Sequence, residues 1–526
     1  MVFKAVWFIT LLIAGNLMWS SPSFADSTLR RATNSMPTSL DPQRQKTSMD
    51  SRVLNDLFLG LTALGPDGSI IAGTAESWDI SKDGRQYTFH IRPDARWQDG
   101  TPVTAGDFQL AFARLFVIGQ KASLSGNYSI IEGHQQFSGL SEPISPDKLA
   151  SLKTGVAVID NLTLLITLTA PAPYFLELLA RPPAFPVPSH LYRSKGSRWA
   201  APENLLSNGA YQLQYVSKDK ITLTRNDAFF DSNHVAIDRA RYLHVPEGQS
   251  AGRFVIGGHA DLAEAIPYYQ VDSLHHANDF VVHSQPVLSL SMFLLNPNVT
   301  ALSDRRVRQA LYLAIDRNAL VRTRNSKETP AYGLVPGMHD YAAEAAPARS
   351  QQDALTQAVA LMKEAGYSKD RPLHLTLTTI DSTQSRRLAV LAKRFWMNIF
   401  VDLSITQKPF NQVVADIRNG NFQIIRRSWR ADYQDPNNFL YLYSPRSNRA
   451  LYPTGNQEVE RLFDLAESTP DLRMKYLKEA EHLLMREYLT VPLYSRVTHA
   501  LLSTRIKGWS EHVMAPNATR YLRLEG

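Results

Sequence analysis

Between Phe422 and Leu440 the chain reads Phe-Gln-Ile-Ile-Arg-Arg-Ser-Trp-Arg-Ala-Asp-Tyr-Gln-Asp-Pro-Asn-Asn-Phe-Leu, and most of its chemically capable side chains crowd there. Arg426, Arg427 and Arg430 bring guanidinium groups, Asp432 and Asp435 carboxylates, Trp429 an indole and Tyr433 a phenol. None of these is an ordinary nucleophile. A guanidinium grips a carboxylate through paired N–H groups, and a carboxylate receives a cation. The apolar run Phe422–Ile425 predicts a buried strand that runs into this cluster, and Asp435-Pro436 breaks the pattern. On a strand Arg426, Ser428 and Arg430 share one side and Arg427 takes the other, so only part of the cluster can face one cleft. By residue type alone, Asp432 and Asp435 fit a cap for a helix starting behind Pro436.

The stretch Trp429-Arg430-Ala431-Asp432-Tyr433-Gln434-Asp435-Pro436, with Phe439 and Leu440 after it, resembles the Trp-x-Ala-Asp-Tyr-x-x-Pro pattern of the periplasmic oligopeptide-binding proteins, extracellular solute-binding protein family 5. The resemblance implies that Asp432 receives the free amino end of a bound peptide. Trp429, Tyr433, Arg430 and Arg426 are the further ligand-binding candidates. The family usually carries a small or neutral residue after this Trp, whereas the chain has Arg430, so a bias toward acidic ligand groups is expected. An arginine solvated or paired within the protein is the alternative.

Catalytic chemistry has little to stand on. The chain has no cysteine, which removes thiolate metal sites, Cys nucleophiles and the acylated cysteine of a membrane-tethered exported protein. No phosphate loop, dinucleotide fingerprint or Gly-x-Ser-x-Gly elbow occurs. Ser145-Pro146-Asp147-Lys148 has Ser-x-x-Lys spacing, but Pro146 prevents the helical presentation such a pair needs. His275-His276 offers adjacent side chains that do not converge on a metal. No catalytic residue, metal or cofactor is expected. A secreted peptide hydrolase is the rival from another class, without a motif to support it.

With 526 residues, 44% hydrophobic and 20% charged, the chain is an ordinary globular sequence too long for one core. Residues 1–25 differ. Lys4 precedes an apolar run to Trp19, and Ser23-Phe24-Ala25 gives a small-residue cleavage pattern, so a secretory signal peptide and a mature start at Asp26 are expected. Removing it takes away Lys4 alone among charged residues, lowering the net charge from +7 to +6. The charges are interspersed and no Lys/Arg run reaches five, which argues against nucleic acid as a partner. The basic Asp304–Arg308 segment is expected to be helical and to face solvent.

The elements that must position the cluster follow from pattern. Thr28–Thr33 predicts a strand, Val53, Leu57, Phe58 and Leu61 one helix face, and Ala75–Ile80 with Tyr87–Ile91 a hairpin about Asp83-Gly84. Thr104 and Asp107 start a helix in capping-box fashion, and Trp97 beside its turn is expected in a core. Val156–Ile159 and Thr163–Leu168 form another hairpin, and Tyr174–Leu179 a helix. Pro182–Pro188 is expected to be an extended connector. Beyond it, Val287–Leu295 predicts an alternating strand, Arg305–Thr323 one continuous helix, and a helix opens at Pro470-Asp471.

The family resemblance extends to the Trp97, Asp99-Gly100 and Pro102-Val103-Thr104 stretch, the helix start Asp304-Arg305-Arg306-Val307-Arg308, and Pro492-Leu493-Tyr494, so it covers essentially the whole mature chain. It implies a mixed α/β protein with two lobes, mixed sheets, three domains and the ligand enclosed between lobes. The expected division is a first-lobe domain of 26–66, 186–280 and 495–526, an additional first-lobe domain of 67–185, and a second-lobe ligand-binding domain of 281–494. The implied function is capture of extended peptides in the periplasm for delivery to a membrane ABC importer, by a likewise expected monomer. The same fold binding a bile-acid-like molecule, metal chelate, haem or murein peptide is the alternative.

Overall fold

The computed structural model describes residues 27–525 apart from 120–124, 146–147, 149–150, 247–248, 275–278, 324–326, 339–340, 346–348 and 448–454. The expected signal peptide, His275-His276 and the Pro146-Asp147 centre of the Ser-x-x-Lys stretch lie outside the described residues.

In chain order the strands are β1 (Thr28–Thr33), β2 (Thr62–Leu64), β3 (Ile70–Ala72), β4 (Ala75–Ile80), β5 (Gln86–Ile91), β6 (Val156–Asp160), β7 (Thr163–Thr167), β8 (Tyr211–Val216), β9 (Lys220–Arg225), β10 (Arg239–His244), β11 (Leu262–Ile266) and β12 (Phe280–Pro286). They continue as β13 (Ser289–Leu295), β14 (Thr329–Pro330), β15 (Leu373–Ile380), β16 (Val401–Lys408), β17 (Ile424–Arg430), β18 (Thr490–Ser495), β19 (Val497–Ser503), β20 (Ile506–Lys507) and β21 (Arg523–Leu524). A seven-stranded sheet has the order β12-β19-β11-β1-β10-β9-β8, a four-stranded sheet β4-β5-β7-β6, and a six-stranded sheet β14-β18-β13-β17-β15-β16. Pairing is mixed: β1 runs parallel to β10 and β11, β19 antiparallel to β11 and β12.

The helices that bear on the site are α1 (Ser48–Leu57), α2 (Ala105–Gly119), α3 (Phe175–Leu179), α4 (Arg305–Ala314), α5 (Arg317–Arg322), α6 (Thr383–Met397), α7 (Phe410–Asn419), α8 (Asn437–Leu440) and α9 (Arg473–Arg486). Local chemistry accounts for most of these elements. Gly84 takes φ +67° in the β4–β5 turn, a conformation that costs a glycine little. Trp97 is fully buried and donates its indole N–H to Asp107 at 3.1 Å, while Asp107 also accepts the N–H of Thr104 at the start of α2.

Several expectations change. Phe58 and Leu61, expected on the face of α1, lie beyond its end at Leu57. Pro182–Ala184 forms a 3-10 turn, because a proline is tolerated where a helical turn begins. The expected helix Arg305–Thr323 is two, α4 and α5, because Asp316 accepts the Ala319 N–H at 2.8 Å and starts a new helix. Arg308 is buried rather than solvated, its guanidinium held by the carbonyls of Leu302, Ser303 and Glu487. Strand β13 is buried on both faces, since it is an interior strand with one hydrophobic cluster about Phe293 and Trp396 and another about Leu290 and Trp429.

The chain passes between the seven-stranded and six-stranded sheets at β12 to β13, through Val287-Leu288, and at β18 to β19, through Arg496. Val287 N–H donates to the Arg496 carbonyl at 3.0 Å, so the two crossings touch. Residues 281–286, expected with the second lobe, pair instead with β19 in the seven-stranded sheet.

Candidate functional site

Strand β17 lies inside the six-stranded sheet, antiparallel to β13 and parallel to β15. Ile424 and Ile425 are fully buried on opposite faces, in the Phe293 and Leu290 clusters respectively, and this fixes which face each later residue of the strand takes. Trp429 joins the Leu290 cluster, where its indole N–H donates to Asn438 Oδ1 at 2.9 Å. Arg427 shares that face and stands over the Phe410 ring at 5.6 Å. Arg426 and Arg430 take the other face. Arg426 is half-buried opposite Phe293, and its Nε has no acceptor among the described residues.

The ladder closes with Ala431 N–H donating to the Leu288 carbonyl at 2.8 Å. Beyond it the two acids part company. Asp435 is buried, accepts the Asn437 N–H at 2.9 Å and pairs with the buried Arg473 at 2.9 Å, so it carries the helix-start task at α8. Burial pushes its carboxyl above the usual range, opposed by Arg473. Asp432 is half-buried, and its Oδ2 accepts the side-chain N–H of Asn127 at 3.0 Å, from a turn 305 residues earlier in the chain.

The two residues after Asp432 reach the same part of the first lobe. The Tyr433 ring stacks on Tyr174 with centroids 4.2 Å apart and planes 11° from parallel, and it belongs to the first lobe's hydrophobic cluster. Gln434 N–H donates to Glu177 Oε2 at 2.7 Å. Burial holds the Glu177 carboxyl above its ordinary value, against the Gln434 N–H and Arg181. Arg473 lies 5.9 Å from the Tyr174 ring. Residues 432–434 therefore seal one lobe against the other.

Arg430 remains exposed to water, yet burial of its guanidinium by surrounding protein and the nearby Arg181, Arg52 and Arg496 push its pKa down to about 10, with Asp432 opposing. Such a group meets water and protein together. Among the five candidates, Asp432 and Arg430 stand at the junction of the lobes, Tyr433 is committed to the Tyr174 stack, Trp429 supports the strand end from within the core, and Arg426 lies further back on β17. Asn127, Glu177 and Arg181 were missed by sequence reasoning. The one local signal was charge at Glu177 and Arg181 in the otherwise apolar Tyr174–Phe185 stretch. Among the described residues no group of three His, Cys, Asp or Glu side chains is placed to hold a metal, and no helix is long and apolar enough to cross a membrane.

Comparison with known proteins agrees with this architecture. Residues 69–450 match the profile described as bacterial extracellular solute-binding proteins, family 5 Middle. The chain is 31% identical over 517 residues to the periplasmic oligopeptide-binding protein OppA of Escherichia coli K12, covering 95% of this chain and 94% of that protein. It is 30% identical to the periplasmic murein peptide-binding protein MppA of the same organism, covering 90% and 88%. A crystal structure of a periplasmic oligopeptide-binding protein from Borrelia burgdorferi superposes with a TM-score of 0.81 at 26% identity, over 95% of this chain and all of that one. The chain is a two-lobed member of the family 5 bacterial extracellular solute-binding proteins.

Proposed function

We infer that this protein captures peptides in extended form between its lobes and delivers them to a membrane-embedded ABC importer. The observation that carries the reading is Asp432, a half-buried carboxylate at the end of an interior strand, facing Asn127 of the opposite lobe. A carboxylate so enclosed is stabilised by a cation, and a peptide's α-ammonium supplies charge and three donors. Extended peptides also present repeating N–H and C=O groups that strand ends can bind without reading side chains. Relatives named for oligopeptide and murein-peptide binding support the same ligand class.

The protein works in the periplasm as a monomer, after removal of residues 1–25 and without a lipid anchor, and it performs no catalysis. Its domains divide as 26–66, 186–286 and 495–526; 67–185; and 287–494, a boundary after 286 in place of the expected 280 being supported by the pairing of β12 with β19.

Titration calorimetry on protein stripped of co-purifying ligand tests the reading. Free tripeptides are expected to bind and be recovered at their original length, and their N-acetylated forms to bind far more weakly. Equal affinity for both forms would remove the ammonium from the account and return the ligand question to other solutes.

A further inference from the structure

Arg430 closes β17 opposite Ser289 of β13. The Ser289 hydroxyl accepts the backbone N–H of Arg496 at 3.3 Å, and Arg496 is the residue joining β18 to β19 at a lobe crossing. These two arginines thus flank one serine at the hinge. From the first lobe, Arg181 follows α3, whose Glu177 holds the backbone of Gln434 four residues past Arg430. Arg52 stands on α1. All three neighbours act on the Arg430 guanidinium.

The nearby carboxylates are engaged elsewhere. Glu264 pairs with Arg31 and Arg52 and Asp435 with Arg473, while Glu177 accepts the Gln434 N–H and Asp432 the Asn127 N–H, the first also acting on Arg181 and the second on Arg430 without forming an ion pair with either. Among the described residues Arg430 and Arg181 hold no ion pair, and Arg181 Nε is buried without an acceptor. Cations gathered beside a protein wall repel one another more strongly than on an open surface, even where one of them still meets water, and an added anion relieves all of them at once. The family pattern does not require a charge at the Arg430 position.

We propose that Arg430 and Arg181, backed by Arg52 and Arg496, form a subsite for a carboxylate side chain within the first three residues of a peptide whose amino end lies on Asp432. This rests on the peptide reading of the cleft. The position follows from length: Arg430 precedes Asp432 by two residues, and an extended ligand advances about 3.3 Å per residue. Guanidinium groups from opposite lobes each donate paired N–H groups to a carboxylate, so the subsite is complete only in the closed molecule and an acidic ligand favours closure.

Titration calorimetry with a tripeptide series of alanine, carrying Glu, Gln or Lys at each position in turn, tests this. At one of the three positions Glu is expected to bind the wild type at least about tenfold more tightly than Gln, and Lys to bind worst. In Arg430→Gln and Arg181→Gln the Glu-to-Gln ratio is expected to fall to within about twofold of unity, with thermal unfolding confirming that the variants fold. Arg394→Gln, on the exposed side of α6, is expected to keep the wild-type ratio. Gln peptides that bind as well as Glu peptides at every position overturn the subsite and leave the peptide reading standing. A preference that survives both variants also overturns it, as does glutarate alone binding as tightly as the best Glu peptide. A series in which no peptide binds overturns the peptide reading itself.

Discussion

Replacing Asp432 by Asn changes one oxygen for one amide group and separates charge from shape. The Asn127 contact at 3.0 Å survives, because the new side chain keeps a carbonyl oxygen to accept it. What disappears is the negative charge, and with it the partner of the peptide ammonium and the anion that opposes the depression of Arg430. Breaking one side of an enclosed, hydrogen-bonded charge pair costs about 3 to 5 kcal/mol, since the remaining charge stays desolvated. At about 1.4 kcal/mol per decade this is roughly a hundredfold to a few thousandfold in affinity. Asn127→Ala removes only a hydrogen bond to a charged group, worth about 1.5 to 3 kcal/mol, and leaves the ammonium its partner, so it is the milder of the two. Calorimetry with one free tripeptide and its N-acetylated form should show Asp432→Asn losing most of its affinity for the free form and little for the acetylated one. Affinity for the free form within about fivefold of wild type would refute the reasoning, and Asp432 would then be only a prop for the lobe contact.

The buried Asp435–Arg473 pair at 2.9 Å holds the turn that aims Asp432, so Asp435→Ala is expected to destabilise the protein by about 3 to 5 kcal/mol, read as a lower urea midpoint; an unchanged midpoint would show the turn to be held by other contacts. Glu177 gives a pH dependence of defined sign. Its carboxyl is raised by burial in the closed molecule and returns to its ordinary 4.5 when the lobes part, so closure takes up protons and acid favours it. Scattering dimensions of the ligand-free protein are expected to shrink as pH falls from neutral toward the ordinary carboxyl value of 4.5, and Glu177→Gln to flatten the change; a shift toward larger dimensions would contradict the sign. Tyr433→Ala removes a stacked pair worth about 0.5 to 1.5 kcal/mol beyond its area, and is expected to enlarge the ligand-free protein while a saturating ligand still closes it. Small-angle scattering reads both states, and identical dimensions with and without ligand in this variant and the wild type would argue against lobe closure.

What the amino-acid sequence determined by itself is local. The β4–β5 hairpin follows from Asp83-Gly84 between alternating residues and α2 from the Thr104/Asp107 start, because each depends on groups a few residues apart. The same alternation on β17 separated Arg426 and Arg430 from Arg427 before any contact was known. The motif around Asp432 likewise singled out the turn at which the lobes meet. Where local signals misled, a short-range alternative had won: Asp316 started a second helix in a run that otherwise reads as continuous.

Tertiary structure alone decided which acid does which task. Asp432 and Asp435 are equivalent as residue types ahead of a helix, and only the arrival of Arg473 at one and Asn127 at the other tells them apart. Tyr433 has the ring of a ligand-stacking residue, yet the Tyr174 ring 4.2 Å away claims it for the lobe contact. Arg52, Arg181, Arg430 and Arg496 are scattered over more than 400 residues of chain, and only the fold brings the first two and the last near enough to act on the Arg430 charge. Spacing along the chain encodes which residues share a face of an element. It does not encode what that face meets, since long-range contacts are set by packing of whole elements.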